Sequence, residues 1–315
     1  MGAMDPDMPA EPATLSSPAA ADVEEPVFGR VVTAMVTPFT PGGAVDVETA
    51  RALARRLVDE LRNDSLLVNG TTGESPTTTD AEKRELVEAV VDEVGDRAQV
   101  IAGVGTFSTA HTIELARQAV AAGADGLLVV TPYYSRPPQD ALVAHFRAVA
   151  DATDAPIMIY DIPHRAGVPV ETATFLAIAD HPHIVAVKDA KGQIVASSRV
   201  IAETNLAFYA GDDAITLPLL SVGGVGVVGT ATHFTGRRMH ELIDAFVAGR
   251  HDEALALHQA LLPVMTGVFA TQGVMLVKAG LAHQGFPVGG VRSPLLAASA
   301  DEAARFAEIL DAADL

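Results

Sequence analysis

The chain has 315 residues, 49% of them hydrophobic, which is enough to bury a large core, either as one α/β barrel or as two smaller domains. It contains no cysteine, which excludes disulfides, thiolate nucleophiles and cysteine-ligated zinc or iron–sulfur sites and is typical of a cytoplasmic protein. A formal net charge of -19 opposes binding to phosphate backbones and anionic membranes, so neither nucleic acid nor a membrane is an expected partner.

Residues 1–26 are rich in Pro, Ala, Asp and Glu and contain no apolar run long enough for the core of a signal peptide. We expect a disordered tail there, in which residues 1–6 resemble a cloning remnant ahead of a natural start at Met8. No later segment approaches the roughly 18 uninterrupted apolar residues that a membrane span requires. The folded part is therefore predicted to begin near residue 27.

From Gly29 onward, short apolar runs alternate with longer helical patterns, as in parallel α/β folds. The predicted strands cover residues 31–36, 65–69, 99–104, 126–130, 156–160, 184–188, 206–210 and 225–229. The predicted helices that follow them cover residues 47–61, 80–94, 109–122, 139–150, 171–179, 193–203 and 213–222. This repeated strand–helix pattern favours a (β/α)8 TIM barrel over a doubly wound sheet, which usually has fewer strands.

Beyond the last predicted strand, the chain carries more helical pattern than the single helix that closes such a barrel. The helical segments cover residues 236–248, 252–266, 272–283 and 300–312. We therefore predict the strands and helices of the barrel over residues 27–235. The closing helix and a small C-terminal helical extension are predicted over residues 236–315.

The apolar run at residues 184–187 is rich in β-branched side chains and ends in Lys188, which indicates a strand buried on both faces. A lysine at the end of such a strand either pairs with a neighbouring carboxylate or loses its proton, because burial disfavours the ammonium ion. A neutral lysine amine attacks carbonyl groups to form Schiff bases. This run alone leaves both interpretations open.

In a (β/α)8 barrel the active site lies at the C-terminal ends of the strands. The predicted strand ends supply hydroxyls, phenols, a guanidinium, carboxyls and an amine, from Thr71, Thr72, Tyr133, Tyr134, Tyr160, Arg165, Lys188, Asp212 and Asp213. Their convergence on one face favours the reactive interpretation of Lys188.

The sequence GTTG at residues 70–73 precedes a helix whose start, TDAE at residues 79–82, fits a capping box. A glycine-flanked turn leaves backbone N–H groups free, and with two threonine hydroxyls it forms a site for a small carboxylate. An ordinary turn is the alternative. Tyr160 also allows two interpretations, because a phenol beside a Schiff-base lysine can move protons during dehydration of a carbinolamine, whereas a buried tyrosine can be purely structural.

Taken together, these motifs resemble the pyruvate-dependent class I aldolases, a family that includes dihydrodipicolinate synthase and N-acetylneuraminate lyase. The resemblance extends over residues 29–295 and includes GTTGE at 70–74, Tyr160 with Pro163, Lys188 at 28 residues beyond Tyr160, and VRSPL at 291–295. Three features are similar to the synthases rather than the lyases, namely the threonine pair at 71–72, the tyrosine pair at 133–134, and Arg165.

The resemblance implies a Schiff base between Lys188 and pyruvate, followed by condensation with L-aspartate-4-semialdehyde in the biosynthesis of diaminopimelate and lysine. It implies that Thr71 and Thr72 bind the carboxylate of pyruvate and that the backbone carbonyl of Val228 lines the pyruvate pocket. Arg165 is then expected to bind the carboxylate of the aldehyde substrate. No metal or organic cofactor is implied, because the protonated imine serves as the electron sink.

The resemblance also implies a proton relay that joins two subunits. Tyr160 is expected to act through Thr72 and through Tyr134 of the neighbouring subunit. This arrangement predicts a homotetramer, built as a dimer of dimers, in which Tyr134 completes the neighbouring site.

Two departures from the family pattern bear on this expectation. Asp161 stands where the family more often has asparagine, and its added negative charge is expected to raise the pKa of Tyr160. Asp80, Lys83 and Phe107 occupy the positions where lysine-inhibited members hold histidines and an asparagine. We therefore expect weak or absent inhibition by lysine.

Two other functions stay open at this point. The chain could be another aldolase of the same family that acts on a sugar-derived 2-keto acid, although Arg165 and Tyr134 argue against it. It could also be a catalytically silent scaffold protein, but such a protein would usually have lost Lys188 or Tyr160.

Overall fold

The computed structural model describes residues 25–313 and 315, so the predicted disordered tail lies outside the described residues except for residues 25 and 26. Eight parallel strands form a closed barrel in the order of the sequence, and β1 pairs with β8 to close it. The predicted (β/α)8 barrel is therefore confirmed.

The strands of the barrel are short and almost entirely buried. They are β1 Val31–Ala34, β2 Ser65–Val68, β3 Gln99–Gly103, β4 Gly126–Val130, β5 Ile157–Asp161, β6 Ile184–Asp189, β7 Ala207–Ala210 and β8 Gly226–Gly229. The helices that alternate with them are α1 Val47–Arg55, continued by a π-helical turn at Arg56–Glu60, α2 Asp80–Val94, α3 Thr109–Ala121, α4 Gln139–Ala150, α5 Pro163–Ala166, α6 Thr172–Ile178, α7 Ile194–Glu203 and α8 Thr216–Leu220. After β8 follow α9 Thr232–Val247, α10 His251–Gly267, α11 Gly273–His283 and α12 Ala300–Ala312.

The helical pattern after β8 is confirmed, but α9 begins at Thr232 rather than at residue 236. Gly236 lies inside this helix. A glycine fits there because the helix packs closely at this point, and a Cβ would lie 2.5 Å from the Leu61 carbonyl oxygen. The capping box predicted for α2 is present, with the Thr79 hydroxyl accepting from the Glu82 N–H and the Glu82 carboxylate accepting from the Thr79 N–H. Local sequence signals therefore located the start of α2 and misplaced that of α9.

Alternation along the strands divides the apolar core into two layers, because successive side chains of a strand point to opposite faces. One layer fills the barrel and includes Phe28, Leu128, Met158 and Tyr209, while the other lies between the strands and the surrounding helices. Phe28 lies against the N-terminal ends of the strands, where its carbonyl oxygen accepts from the Ser65 hydroxyl at 2.7 Å. The opposite end of the barrel remains available for a site.

A register shift between β5 and β6 determines which side chains face each other at that end. The shift lies between Ile157 and Met158, and beyond it Tyr160 pairs with Lys188. Without the shift Tyr160 would pair with Val187, whose side chain packs in the outer layer. The bulge therefore brings Tyr160 and Lys188 side by side on the inner face of the barrel.

The C-terminal extension covers the same end of the barrel as the polar strand ends. Residues that follow α11 run beside the loop after β1, where the Phe39 N–H donates to the Val288 carbonyl oxygen at 3.1 Å. The rings of Phe234 in α9 and Phe306 in α12 pack edge to face with centroids 5.6 Å apart. Within the described part of the chain, no helix combines the length and apolarity needed to cross a membrane.

The buried phenol of Tyr209, which lies beside Phe28 at the N-terminal end of the barrel, provides a test of the barrel core. The Tyr209 hydroxyl donates to the Gly29 carbonyl oxygen at 3.0 Å and accepts from the Phe28 N–H at 3.2 Å. Tyr209→Phe would leave both backbone groups unsatisfied and is expected to lower the free energy of unfolding by about 1–3 kcal/mol. Urea unfolding monitored by circular dichroism measures the loss, with Tyr134→Phe, at a side chain that is 94% exposed, as the control. Equal stability of the two variants would contradict this account.

Candidate active site

Lys188 and Tyr160 form the centre of the site, at the C-terminal ends of two neighbouring strands. Each residue is only 4% exposed, and the Lys188 Nζ lies 4.4 Å from the centroid of the Tyr160 ring. Both come from the inner face of the barrel, as the register shift requires. The structure therefore brings together the amine and the phenol on which the sequence prediction depends.

The surroundings of Lys188 favour the neutral amine. Burial lowers the pKa of Lys188 to about 8, Asp213 opposes this by raising it, and Arg165 lowers it further. The Lys188 Nζ has no carboxylate within ion-pair distance in the described residues. The simple ion-pair interpretation of Lys188 is therefore not supported, and at neutral pH a useful fraction of the amine is unprotonated.

Asp213 is the acidic counterpart of Lys188 and was not assigned a role from the sequence. It is fully buried, and burial raises its pKa to about 6, while the N–H groups of Thr230 and Ala231 and the Lys188 ammonium lower it. Its Oδ2 accepts from the Thr230 N–H at 2.9 Å, and its Oδ1 has no hydrogen-bond partner among the described residues. The position of Asp213 immediately after β7 was the only sequence signal that could have identified it.

The phenol of Tyr160 is a weak acid in this environment. Burial raises the pKa of Tyr160 to about 12, and Asp212 contributes to the rise, whereas Arg165 and a hydrogen bond with the Thr71 side chain lower it. The proton of Tyr160 therefore stays on the oxygen at neutral pH. The phenol can therefore donate this proton to a leaving hydroxyl.

The expected effect of Asp161 on the pKa of Tyr160 is not found. The Asp161 carboxylate lies 3.1 Å from the Lys191 Nζ and accepts from the Val170 N–H at 3.0 Å. Because the adjacent ammonium compensates its charge, Asp161 is not among the groups that shift the pKa of the phenol.

Adjacent threonines of the turn at residues 70–73 have different partners. The Thr71 side chain lowers the pKa of Tyr160, whereas the Thr72 Oγ1 lies 3.2 Å from the Thr230 Oγ1. The His233 Nδ1 lies 2.8 Å from the Thr230 carbonyl oxygen, and the Thr230 N–H is bound by Asp213. Thr72, which was expected to act in the relay, thus has the Thr230 hydroxyl as its hydrogen-bond partner, and its role in the relay stays a prediction.

A buried ion pair connects this turn to the C-terminal extension. The Glu74 carboxylate accepts from the Lys278 Nζ at 2.8 Å and from the Arg292 N–H at 2.8 Å, and the side chains of Glu74 and Lys278 are 1% and 4% exposed. The Lys278 Nζ and the Arg292 guanidinium lie 4.3 and 4.4 Å from the centroid of the Phe39 ring. Two sequence motifs far apart in the chain are thus one structural unit that holds the turn in place.

Arg165 reaches the site from the short helix α5. Its Nη2 donates to the Gln272 Oε1 at 3.0 Å, so the C-terminal extension also contacts this guanidinium. Both side chains are exposed, which leaves the guanidinium accessible to a carboxylate from solution. Sequence reasoning missed Gln272, because the 107 residues between the partners leave no local pattern.

A cavity of about 360 Å³ contains five of the predicted site residues. It is lined by Thr71, Thr72, Tyr160, Arg165 and Lys188, together with Thr230 and residues at the end of α10. Val228 lies on the inner face of β8, with its side chain buried in the barrel. The lining contains an amine, a phenol, hydroxyls and a guanidinium, which is a set suited to a small keto acid.

Tyr134 lies at a neighbouring cavity of about 390 Å³, which shares Thr71, Tyr160 and Arg165 with the first. Its side chain is 94% exposed and its φ of 72° lies in the left-handed region, which is strained for a tyrosine and is often found at functional sites. Within one chain, Tyr134 therefore projects outward rather than into the cavity that contains Lys188.

The positions expected to weaken lysine binding have other partners in the structure. The buried Lys83 donates its Nζ to the Thr78 carbonyl oxygen at 2.5 Å, and the Asp80 carboxylate lies 3.0 Å from the His111 Nε2. Phe107 is 62% exposed and packs edge to face on Tyr133. Among residues 25–313, no three metal-ligating side chains are arranged to hold an ion.

Comparisons with known proteins agree with this geometry. Residues 27–313 match the sequence profile of the Dihydrodipicolinate synthetase family. The chain is 64% identical over 290 residues to a 4-hydroxy-tetrahydrodipicolinate synthase from Cutibacterium acnes, which covers 92% of this chain and 99% of that protein. It is 60% identical over 286 residues to a synthase of the same name from Acidothermus cellulolyticus, with coverages of 91% and 92%.

A crystal structure of the corresponding synthase from Cyanidioschyzon merolae, with lysine bound, matches the fold with a TM-score of 0.90 at 41% identity, over 92% of this chain and 100% of that chain. The family match and these relatives span the barrel, the buried lysine and the C-terminal extension alike. The chain therefore belongs to the dihydrodipicolinate synthetase family.

Proposed function

We propose that this enzyme, a lyase of its family, condenses pyruvate with L-aspartate-4-semialdehyde to 4-hydroxy-tetrahydrodipicolinate, a step of diaminopimelate and lysine biosynthesis. The observation that carries the proposal is the desolvated Lys188 amine, which lies 4.4 Å from the centroid of the Tyr160 ring in a cavity that also contains Arg165. The synthases to which the chain is 60 and 64% identical support this substrate pair over a sugar-derived 2-keto acid. The retained Lys188 and Tyr160 argue against a silent scaffold.

The first half of the reaction forms an imine. The neutral Lys188 amine attacks the keto carbon of pyruvate, whose carboxylate is bound at the turn of Thr71 and Thr72, with the Val228 carbonyl oxygen lining the pocket. Tyr160 donates its proton to the carbinolamine hydroxyl, which leaves as water. The Tyr160 phenolate left by that step then takes a proton from the methyl group of pyruvate, which gives an enamine and restores the phenol.

The second half forms the carbon–carbon bond and the ring. The enamine carbon attacks the aldehyde carbon of the semialdehyde, while the Arg165 guanidinium pairs with that substrate's carboxylate. The amino group of the second substrate then attacks the imine carbon. The bond to Lys188 breaks, which releases the cyclic product and the free amine.

The partners of the two threonines support a division of work between them. The Thr71 side chain lowers the pKa of Tyr160 and is suited to pass a proton from the phenol toward Tyr134 of the neighbouring subunit. Thr72, which the sequence had suggested for this relay, is held by Thr230 and is suited to bind the carboxylate of pyruvate.

A homotetramer, built as a dimer of dimers, is part of the proposal. The outward projection and strained backbone of Tyr134 support a role in a neighbouring subunit's site. A cytoplasmic location is also proposed, because the chain lacks cysteine and the reaction belongs to amino-acid biosynthesis.

Turnover and its dependence on Lys188 are tested in one coupled assay. We expect pyruvate and the semialdehyde, with excess dihydrodipicolinate reductase and NADPH, to consume NADPH with the wild type and not with Lys188→Ala. Borohydride should trap pyruvate on the wild-type chain alone, as seen by mass spectrometry. If the wild type shows no turnover while the coupling enzyme is active, the substrate assignment is wrong.

The pH dependence follows from the pKa of about 8 for Lys188. Because only the amine attacks, kcat/KM for pyruvate should rise with pH and reach half of its plateau near that pKa. Asp213 raises the pKa of Lys188, so Asp213→Asn should move the midpoint to lower pH. A midpoint that stays in place or rises in this variant would contradict the assigned electrostatics.

Threonine substitutions distinguish the relay from carboxylate binding. Thr71→Val is expected to lower kcat by about 10²-fold or more, the usual contribution of a proton-transfer group. Thr72→Val should mainly raise KM for pyruvate, because it removes a hydroxyl from the carboxylate site. Steady-state kinetics at saturating second substrate separate these effects. A loss of kcat in Thr72→Val, with only KM for pyruvate changed in Thr71→Val, would instead support Thr72 as the relay residue.

Weak or absent inhibition by lysine stays a prediction. The Lys83 amine is bound to the Thr78 carbonyl oxygen and Phe107 has no polar group to offer, so a free lysine would find poor partners there. The initial rate in the coupled assay, measured against increasing L-lysine, provides the test. Half-maximal inhibition below about 1 mM, a typical affinity for a specific metabolite site, would show that lysine binds well.

A further inference from the structure

The loop that carries Arg165 leaves the barrel after β5 and returns to it before α6. It contains α5, which ends at Gly167 with a φ of 82°. The Val170 N–H at the end of the loop donates to the Asp161 Oδ1 at 3.0 Å, across a separation of nine residues. The Asp161 carboxylate, next to Tyr160 in the sequence, therefore joins the two ends of the loop.

Lys191, in the loop that follows β6, binds both ends of the Arg165 loop. Its Nζ lies 3.1 Å from the Asp161 Oδ2 and donates to the Val170 carbonyl oxygen at 2.9 Å. The side chains of Lys191 and Asp161 are only 7% and 1% exposed, and the ammonium lies 5.6 Å from the centroid of the Phe175 ring. The ammonium thus binds both ends of the loop in a site largely closed to water.

Lys191 is held by β5 and β6, the two strands that carry Tyr160 and Lys188. The Lys191 N–H donates to the Asp189 Oδ1 at 2.9 Å, and Asp189 directly follows Lys188 in β6. The Ala190 N–H donates to the Asp161 carbonyl oxygen at 2.9 Å. The Asp161–Lys191 pair is therefore fixed relative to Lys188 and Tyr160. Because the pair also binds the loop, the loop is held in a fixed position relative to these two residues.

The pair itself does not line either cavity at the site, so it has no direct contact with substrate to make. Burial raises the pKa of Asp161 and the Lys191 ammonium opposes that rise, as expected for two charges that compensate each other out of water. Removing one partner of such a pair leaves the other charge buried without compensation, whereas removing both does not. This asymmetry makes the contribution of the pair measurable.

We propose that Asp161 and Lys191 are a positioning pair, which fixes the loop on which Arg165 presents its guanidinium and thereby sets the affinity for the carboxylate of the second substrate. The inference rests on the proposed function. According to this proposal, Asp161 and Lys191 contact neither substrate, yet they affect KM for the semialdehyde and not KM for pyruvate. Pyruvate is bound at the turn after β2 and at Lys188, and it depends on this loop only through the smaller effect of Arg165 on the pKa of Lys188.

The test compares Lys191→Met with the double variant Asp161→Asn/Lys191→Met. The single variant is expected to raise KM for aspartate-4-semialdehyde about ten-fold, because it strands the Asp161 charge and frees the loop. KM for pyruvate and the extent of borohydride trapping should stay within about two-fold of wild type, since groups without shared partners act nearly independently. Arg165→Ala sets the upper limit of the effect.

The double variant removes both charges and keeps an oxygen to accept from the Val170 N–H. Its KM for the semialdehyde should therefore return to within about three-fold of wild type, a recovery that is the signature of a coupled pair. Arg199→Met is the matched control, because it removes a cation from an exposed pair with Glu203 on the neighbouring helix α7 and should change neither KM.

Two results with Lys191→Met would overturn the inference. One is a wild-type KM for the semialdehyde in Lys191→Met, even if the melting temperature falls, because the pair would then be only structural. The other is an equal loss of pyruvate trapping and of semialdehyde affinity, which would show a general disturbance. If Lys191→Met does not fold, the double variant decides, and a KM there as high as that of Arg165→Ala would contradict the proposal. Absence of wild-type turnover would instead refute the proposed function.

Discussion

The removal of water from the Lys188 amine is the constraint on which the rest of the site depends. A closed parallel barrel is one of the few folds that can bury a strand on both faces and still open its end to a substrate. Burial lowers the pKa of Lys188 to about 8, and Tyr160, at the paired position on β5, covers the amine with its ring. The nucleophile is thereby activated by its place in the fold rather than by a neighbouring base.

Burial lowers the pKa of Lys188 and raises the pKa values of the two acids beside it. The pKa of Asp213 rises to about 6 and that of Tyr160 to about 12. At neutral pH the site therefore combines a partly neutral amine, a largely ionised carboxylate and a protonated phenol. Separation of pKa values by environment is how one site supplies a nucleophile and a proton donor together.

The C-terminal extension contacts both substrate-binding elements. The Glu74–Lys278 pair anchors the turn that holds Thr71 and Thr72, and Gln272 contacts Arg165. The barrel thus supplies Lys188 and Tyr160, while the C-terminal extension contacts the turn and the guanidinium that are proposed to bind carboxylates. This division explains why the motif at residues 291–295 belongs to the active-site pattern although it lies far from the strands in sequence.

The sequence by itself determined the eight strands and placed Lys188, Tyr160 and Arg165 at the same end of the barrel, because strand periodicity and strand-end chemistry are local properties. Only the tertiary structure decided that the Thr72 hydroxyl lies against the Thr230 hydroxyl, since adjacent side chains in a turn point in directions that no spacing rule predicts. It also decided that Asp161 pairs with Lys191 and Glu74 with Lys278, across 30 and 204 residues. Such pairs depend on how the chain folds back on itself, and a register shift of one residue at Ile157 likewise decides which side chains of β5 and β6 face each other.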